Sequence, residues 1–279
     1  MSMVYLNGRF LPLEQAQVPV MDRGFIFGDG VYEVIPAYRG KPLALERHLE
    51  RLDYSLAGIR LANPLAAPLW QQLIEQLLAQ APETDQSVYL QITRGVAPRD
   101  HAFPAQTLPT VFAMVKPMPS PPSQWIQEGV SAITRPDNRW LRCDLKTTAL
   151  LANLLLRQEA VEAGAVECVL LREGMLTEGA ASNILLVQQG QLLTPPRNHL
   201  ILPGITCALT LELAARHQIP CQERPIAESE LRQAEELMLT SSTREIVPIT
   251  LLDGQPVGNG KPGPMTRRLL ALYQELKTP

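Results

Sequence analysis

The chain reads as an α+β protein of two domains, a smaller N-terminal one mixing helices and strands and a larger C-terminal one rich in antiparallel strands. Three observations predict this. Strand-like segments come in hairpins that flank a pair of helices, where a parallel α/β protein would alternate strand and helix throughout. Four prolines fall within Pro117-Met118-Pro119-Ser120-Pro121-Pro122-Ser123, a run that continues neither a helix nor a central strand. At 279 residues, 46% of them hydrophobic, the chain has apolar material for two cores. Residues 1–118 are thus expected to form one domain, 119–123 a linker and 124–279 the second domain.

Val4 to Leu6 and Arg9 to Leu11 flank Asn7-Gly8, a pair that tolerates the positive φ of a two-residue hairpin turn. Val31 to Tyr38 predicts a strand, closed by the turn Arg39-Gly40-Lys41-Pro42. Leu45, Leu49, Leu52, Leu56 and Ile59 recur at helical spacing, and Leu69, Leu73, Leu77 and Leu78 mark a second helix. Val88, Leu90 and Ile92 alternate with Tyr89, Gln91 and Thr93 as in a strand, and Pro109 to Val115 supplies another. Past the linker, Val130 to Thr134 reads as a strand and the stretch ending at Lys146 as apolar and strand-like. Ala149 to Ala163 reads as a helix stopped by Gly164 in the left-handed conformation. Glu167 to Leu171, Ala181 to Val187 and Gln191 to Leu193 read as strands, with turns at Glu173-Gly174 and Gln189-Gly190. A helix starts after Gly204, and Glu236 to Thr240 runs into Ser241-Ser242-Thr243.

A net charge of −3 without a dense Lys/Arg stripe argues against nucleic acid as a partner. No stretch approaches the ~20 apolar residues of a membrane span, and Met1 to Arg9 reaches a turn before any signal-peptide-like apolar run develops. Cys143, Cys168, Cys207 and Cys221 lack C-x-x-C spacing, as expected of reduced thiols in a cytoplasm. With His48, His101, His199 and His217 equally scattered, no metal site is expected.

Chemistry centres on Lys146, which ends Arg139-Trp140-Leu141-Arg142-Cys143-Asp144-Leu145-Lys146 and precedes Thr177-Glu178-Gly179 by about thirty residues. Desolvation eases loss of an ammonium proton, and a neutral amine attacks an aldehyde, so a buried lysine suits Schiff-base chemistry. Taken alone, Lys146 also suits a strand edge with its ammonium in water. Glu178 precedes the small residues Gly179, Ala180, Ala181 and Ser182, which let a flat ring approach the backbone; its carboxylate could pair with a pyridinium nitrogen or be a solvated turn residue. Gly204-Ile205-Thr206 opens a helix whose free N–H groups could seat a phosphate, although Thr206 also suits an ordinary N-cap. Ser241, Ser242 and Thr243 offer hydroxyls, and Arg51 a guanidinium. Arg99-Asp100-His101 lies in a proline-broken loop able to clamp a carboxylate, or simply solvated. Phe27-Gly28-Asp29-Gly30-Val31-Tyr32-Glu33 lacks the third glycine of a dinucleotide loop and leads into a strand, not a helix.

In this order the motifs resemble the class IV, or fold-type IV, pyridoxal-phosphate aminotransferases, most closely the bacterial D-amino-acid aminotransferases. They run from Asp22-Arg23-Gly24 and the Phe27 to Glu33 segment through His48-Leu49-Glu50-Arg51-Leu52 and Pro98-Arg99-Asp100-His101-Ala102-Phe103-Pro104. They continue with the Lys146 segment, Thr177-Glu178-Gly179 with Ser182-Asn183, Leu202-Pro203-Gly204-Ile205-Thr206, and Thr240-Ser241-Ser242-Thr243. The resemblance implies that pyridoxal 5′-phosphate lies between the domains, anchored by Lys146, which also moves the proton between the substrate Cα and C4′. It implies Glu178 on the pyridine nitrogen and Leu202 against the ring. Arg51, the Ile205 and Thr206 amides and the Ser241-Ser242 hydroxyls would hold the phosphate. Tyr32, Arg99 and His101 would trap the substrate α-carboxylate, the last two coming from the partner of a homodimer. A D-amino acid and a 2-oxo acid such as 2-oxoglutarate or pyruvate would exchange the amino group by a ping-pong route. The same scaffold also serves aminodeoxychorismate lyases, branched-chain L-aminotransferases and amine transaminases; the Arg99/His101 loop favours the D-specific branch. Ser242 stands where a threonine is expected, and Arg244 adds a cation beside the phosphate or substrate region.

Overall fold

The computed structural model describes residues 3–81 and 84–277; Met1 and Ser2, with which the N-terminal reading begins, lie outside the described residues. The chain divides into two compact units, Met1–Pro119 with Leu145–Leu150, and Ser120–Asp144 with Leu151–Pro279.

The first unit opens with the hairpin β1 (Met3–Leu6) and β2 (Arg9–Pro12), whose turn residues Asn7 and Gly8 have φ 47° and 90°. Next come a short helix α1 (Arg23–Phe27), strands β3 (Gly30–Tyr38) and β4 (Lys41–Pro42), helices α2 (Leu45–Gly58) and α3 (Ala67–Leu78), and strands β5 (Gln86–Thr93) and β6 (Thr110–Pro117). The strands form an antiparallel sheet in the order β2-β1-β6-β5-β3-β4. Alternation decides which face is dry: Val31 and Ile35 of β3 and Val88, Leu90 and Ile92 of β5 pack with Leu52, Leu56, Trp70, Ile74 and Leu77 from the two helices.

The stretch leading to Lys146 departs from the expected strand. Residues 137–150 are irregular, with a single bridge between Val31 and Thr147. Residues 145–150 also group with the first unit rather than with the expected 124–279 domain. The cause is visible in the backbone: Tyr32 N–H donates to the Lys146 carbonyl and Thr148 N–H to that of Gly30, so the segment is laced to the start of β3.

Residues 118–122, where the first unit gives way to the second, carry no regular structure and lead into α4 (Ser123–Glu128). There follow β7 (Val130–Pro136), α5 (Leu151–Glu162), β8 (Glu167–Arg172), β9 (Met175–Gly179), β10 (Asn183–Gln188), β11 (Gln191–Thr194), α6 (Ile205–Arg216), β12 (Cys221–Glu223), α7 (Glu228–Arg232), β13 (Glu236–Ser241), β14 (Glu245–Leu252), β15 (Gln255–Pro256) and α8 (Pro264–Leu276). The sheet runs β12-β11-β10-β13-β14-β7-β8-β9, with β15 beside β14. Antiparallel pairings predominate, but β12 runs parallel to β11 and β7 parallel to both β14 and β8; the crossover through α5 brings β8 back in the direction of β7. Val169, Ile184, Leu186, Leu237, Leu239, Val247 and Ile249 centre one core, and Leu156 and Ala160 of α5 cover Cys168 and Leu170 in another.

Candidate active site

In the first unit Lys146 is half-buried, not sealed, between the buried Leu145 and Thr147. Its backbone is pinned on both sides: the N–H donates to Ser55 Oγ at 3.1 Å and the carbonyl accepts from Tyr32 N at 3.0 Å. The ammonium lies 4.4 Å from the centroid of the Tyr32 ring, a favourable cation–π position. Two fixed backbone bonds and an aromatic floor give a long, flexible side chain a defined location.

Successive residues of a strand point to opposite faces, so Glu33 follows Tyr32 into the interior. There its carboxylate accepts from Arg51 Nε and Nη2, both at 2.8 Å, and pairs with His48 Nδ1 at 2.8 Å. His48 and Arg51, three residues apart on α2, share a face and reach the same carboxylate. Burial opposes the Glu33 charge, but Arg51 and His48 outweigh it and hold the carboxyl well below the usual range. Burial lowers the His48 pKa against the pull of Glu33. Arg51, expected as a phosphate ligand, is therefore oriented by Glu33, a residue to which the sequence reading gave no role.

Arg99 and His101 both stand exposed on the loop after β5. Arg99 Cζ lies 5.3 Å from the Phe27 ring centroid and the His101 ring 5.6 Å from it. One aromatic ring thus borders both side chains.

In the second unit Glu178 is not a turn residue but a buried member of β9. Its Oε1 accepts from Arg139 Nη1 at 2.5 Å, and its Oε2 from the Leu202 N–H at 3.1 Å and Asn183 Nδ2 at 3.2 Å. Burial pushes its pKa up to about 7, while Arg139 and the Leu202 amide pull it down. Arg139 is itself held by Asp137, through Nε and Nη2 at 2.9 Å each, and Asp137 also meets Arg172 at 3.1 Å and Thr177 Oγ1 at 2.9 Å. Asp137 and Arg139 were missed in the sequence, where a lone Asp-x-Arg after a strand has no distinguishing spacing.

Asn183 links this carboxylate to the start of α6. Its Nδ2 also donates to the Leu202 carbonyl at 2.9 Å, and a Cβ on Gly204 would overlap its amide oxygen. The N-cap of α6 is Gly204, which removes Thr206 as a cap and places Ile205 and Thr206 in the first turn, where N–H groups have no acceptor within the helix. Leu202 is half-buried. Ser241 ends β13 and pairs with Glu245, so Ser242, Thr243 and Arg244 form the tight connection to β14. Arg244 is tied down: its Nη1 meets the fully buried Glu167 at 3.2 Å, which also accepts from Ser182 Oγ at 2.8 Å. It is thus an ion-pair partner of Glu167, a tie the sequence did not reveal.

The donor chemistry falls into three kinds. A buried carboxylate clamped by a guanidinium and an amide suits a protonated ring nitrogen. Helix amides beside a hydroxyl-rich hairpin suit a phosphate dianion, and a half-buried amine over an aromatic ring suits an aldehyde.

Comparison with known proteins agrees with that chemistry. A family model described as amino-transferase class IV matches residues 30–252. The chain is 40% identical over 271 residues to a D-alanine aminotransferase of Bacillus licheniformis, covering 97% of this chain and 95% of that protein. It is 41% identical over 277 residues to one of Listeria innocua, covering 98% and 95%. Among solved structures it resembles the branched-chain amino acid aminotransferase of Escherichia coli, with a TM-score of 0.93 and 26% identity over 99% of this chain and 95% of that one. A second branched-chain amino acid aminotransferase, solved with pyridoxamine 5′-phosphate, shares the fold, with a TM-score of 0.91 at 24% identity over 99% and 94%.

Proposed function

Since the chain belongs to the class IV aminotransferases, enzymes that use pyridoxal 5′-phosphate, we propose that it moves the amino group of D-alanine and related D-amino acids to a 2-oxo acid such as 2-oxoglutarate or pyruvate. The cofactor, when bound, supplies the electron sink for the electron pair released at the substrate Cα. Lys146 would hold the cofactor through its amine and, once the substrate's amino group has taken its place there, would be free to move the proton at the substrate Cα, a general base on a backbone held by Ser55 and Tyr32. Glu178 accepts from the pyridine nitrogen. Burial makes a lone Glu178 charge costly, and a ring proton adds a second cationic partner beside Arg139. Leu202 bears on the ring, while Arg51, the amides of Ile205 and Thr206, and Ser241 and Ser242 hold the phosphate.

Arg99 and His101 carry the D-specific reading. Two side chains able to bind a carboxylate stand exposed on one loop with Phe27 beside both. With Tyr32 they fix the substrate carboxylate and thereby decide which Cα–H bond faces the base.

The enzyme acts as a homodimer in which this loop completes the neighbouring site. Supporting this, α5 exposes Leu151, Leu154 and Leu155 at 70%, 62% and 57%, an apolar row unusual for a surface facing water. Four free cysteines fit a reducing cytoplasm. Among the described residues no helix is long and apolar enough to cross a membrane.

Steady-state assay tests the reading: with D-alanine and 2-oxoglutarate the holoenzyme forms pyruvate over many turnovers, and Lys146→Ala loses nearly all of it. Multiple turnover retained by the variant would remove Lys146 from the mechanism.

A further inference from the structure

The loop bearing Arg99 and His101 is gripped from beneath by a buried cluster of two arginines and one aspartate. Asp29 Oδ2 accepts from Arg23 Nε and Arg94 Nε, both at 2.8 Å, and its Oδ1 accepts from Arg94 Nη2 at 3.0 Å. The side chains of Arg23 and Arg94 are 4% and 5% exposed, and that of Asp29 11%. Such burial is costly for charges unless each is paired and hydrogen-bonded, as these are.

Both arginines also grip backbone. Arg23 Nη1 donates at 2.6 Å to the carbonyl of Asp100, the residue between Arg99 and His101, and at 3.4 Å to that of Ala102. Arg94 donates to the carbonyls of Ile59 and Arg60 at 2.6 and 3.3 Å, where α2 ends. Past the grip, Phe103 lies against Arg94, with Cζ 3.7 Å from the ring centroid, and the Ala102 N–H closes onto Asp100 Oδ1 at 3.1 Å. Below it, Arg23 N–H donates to the Gly95 carbonyl and Arg94 N–H to that of Asp29. An exposed loop that carries two binding groups is thus held at its centre by a side chain that is itself immobilised.

We propose that Arg23 is a positioning residue for substrate binding: seated on Asp29 and Arg94, it fixes the Asp100 carbonyl and so sets Arg99 and His101 in the geometry that receives the substrate carboxylate. The inference rests on the assignment of Arg99 and His101 to that carboxylate. Arginine is required because one planar fork must serve a carboxylate and a carbonyl together; a lysine keeps the charge but offers a compact ammonium without that geometry.

Arg23→Lys in the holoenzyme is the test, read beside Arg99→Ala. The expected result is a rise of about tenfold or more in the KM for D-alanine with kcat changed by less than about threefold, since displacing a binding group by about 1 Å has costs of that order or greater. The cofactor's visible absorbance is unchanged, and hydrogen exchange accelerates at the amides of 99–102. Phe103→Leu, at a half-exposed position, shifts the KM the same way by a smaller factor and decides the matter should Arg23→Lys not fold. An unchanged KM in the folded Arg23 variant, or failing that in Phe103→Leu, while Arg99→Ala raises it, overturns the role of the cluster. An unchanged KM in Arg99→Ala instead overturns the underlying assignment and the inference with it.

Discussion

At the scale of single residues, the site depends on charges whose cost of burial is offset by specific partners. Glu178 is the exception, because burial outweighs the pull of Arg139 and the Leu202 amide and pushes its pKa up to about 7, above the ordinary carboxylate value of 4.5. A group raised in the folded state contributes stability that is full below its unfolded pKa and lost as pH rises through the folded one. The cofactor-free protein should therefore lose stability between about pH 5 and pH 8 through this residue. Urea unfolding at both pH values measures it: Glu178→Gln should be less destabilised by the rise than the parent protein, and equal slopes would contradict the argument. Lys146 and Glu178 were singled out in the sequence less by their own surroundings than by standing in a series of motifs whose order resembles a known family. Arg139, Asp137, Glu33 and His48 did not declare their roles, because each acts through a partner 15 or more residues away that only the folded chain brings near.

At the scale of elements, hairpins with Gly turns and helices with a repeating apolar stripe were read correctly, since both signals are local. The Lys146 segment was misread as a strand because apolar composition does not distinguish a strand from a loop laced to another strand's end. Met175–Gly179 escaped as a strand because a buried glutamate in it resembles turn chemistry until Arg139 neutralises it. The start of α6 shows what a terminus demands: Gly204 leaves no room for a Cβ against Asn183, whose amide also holds Glu178 and Leu202. Gly204→Ala should displace Asn183 and the first-turn amides together, weakening pyridoxal phosphate binding about tenfold or more, the order expected for losing one or more charge-assisted contacts. Fluorescence titration of the apoprotein checks this, and unchanged affinity would show that the helix start does not hold the phosphate.

At the scale of the whole molecule, the residues proposed for the site come from both units: Lys146, Tyr32, Arg51, Arg99 and His101 from the first, Glu178, Leu202, the start of α6 and the Ser241-Ser242 hydroxyls from the second. The fold is shared with branched-chain aminotransferases, so substrate choice lies in side chains and loops, not in the sheets. Subunit exchange bears on the assembly. If the Arg99/His101 loop serves the neighbouring subunit, each heterodimer of Lys146→Ala with Arg99→Ala chains contains one intact site. Random assortment should then restore about a quarter of the parental activity from two nearly inactive variants; no recovery on mixing would place the loop in its own subunit's site.

The central claim, transfer from a D-amino acid, is tested most directly by single half-reactions of the holoenzyme with D-alanine, L-alanine and L-valine, followed by the cofactor's absorbance and by the keto acid released. The account predicts rapid bleaching of the visible band and stoichiometric pyruvate from D-alanine, with at least a hundredfold slower change for both L-amino acids, a ratio equal to about 2.7 kcal/mol of discrimination. Rapid conversion by L-valine with an inert D-alanine would contradict it.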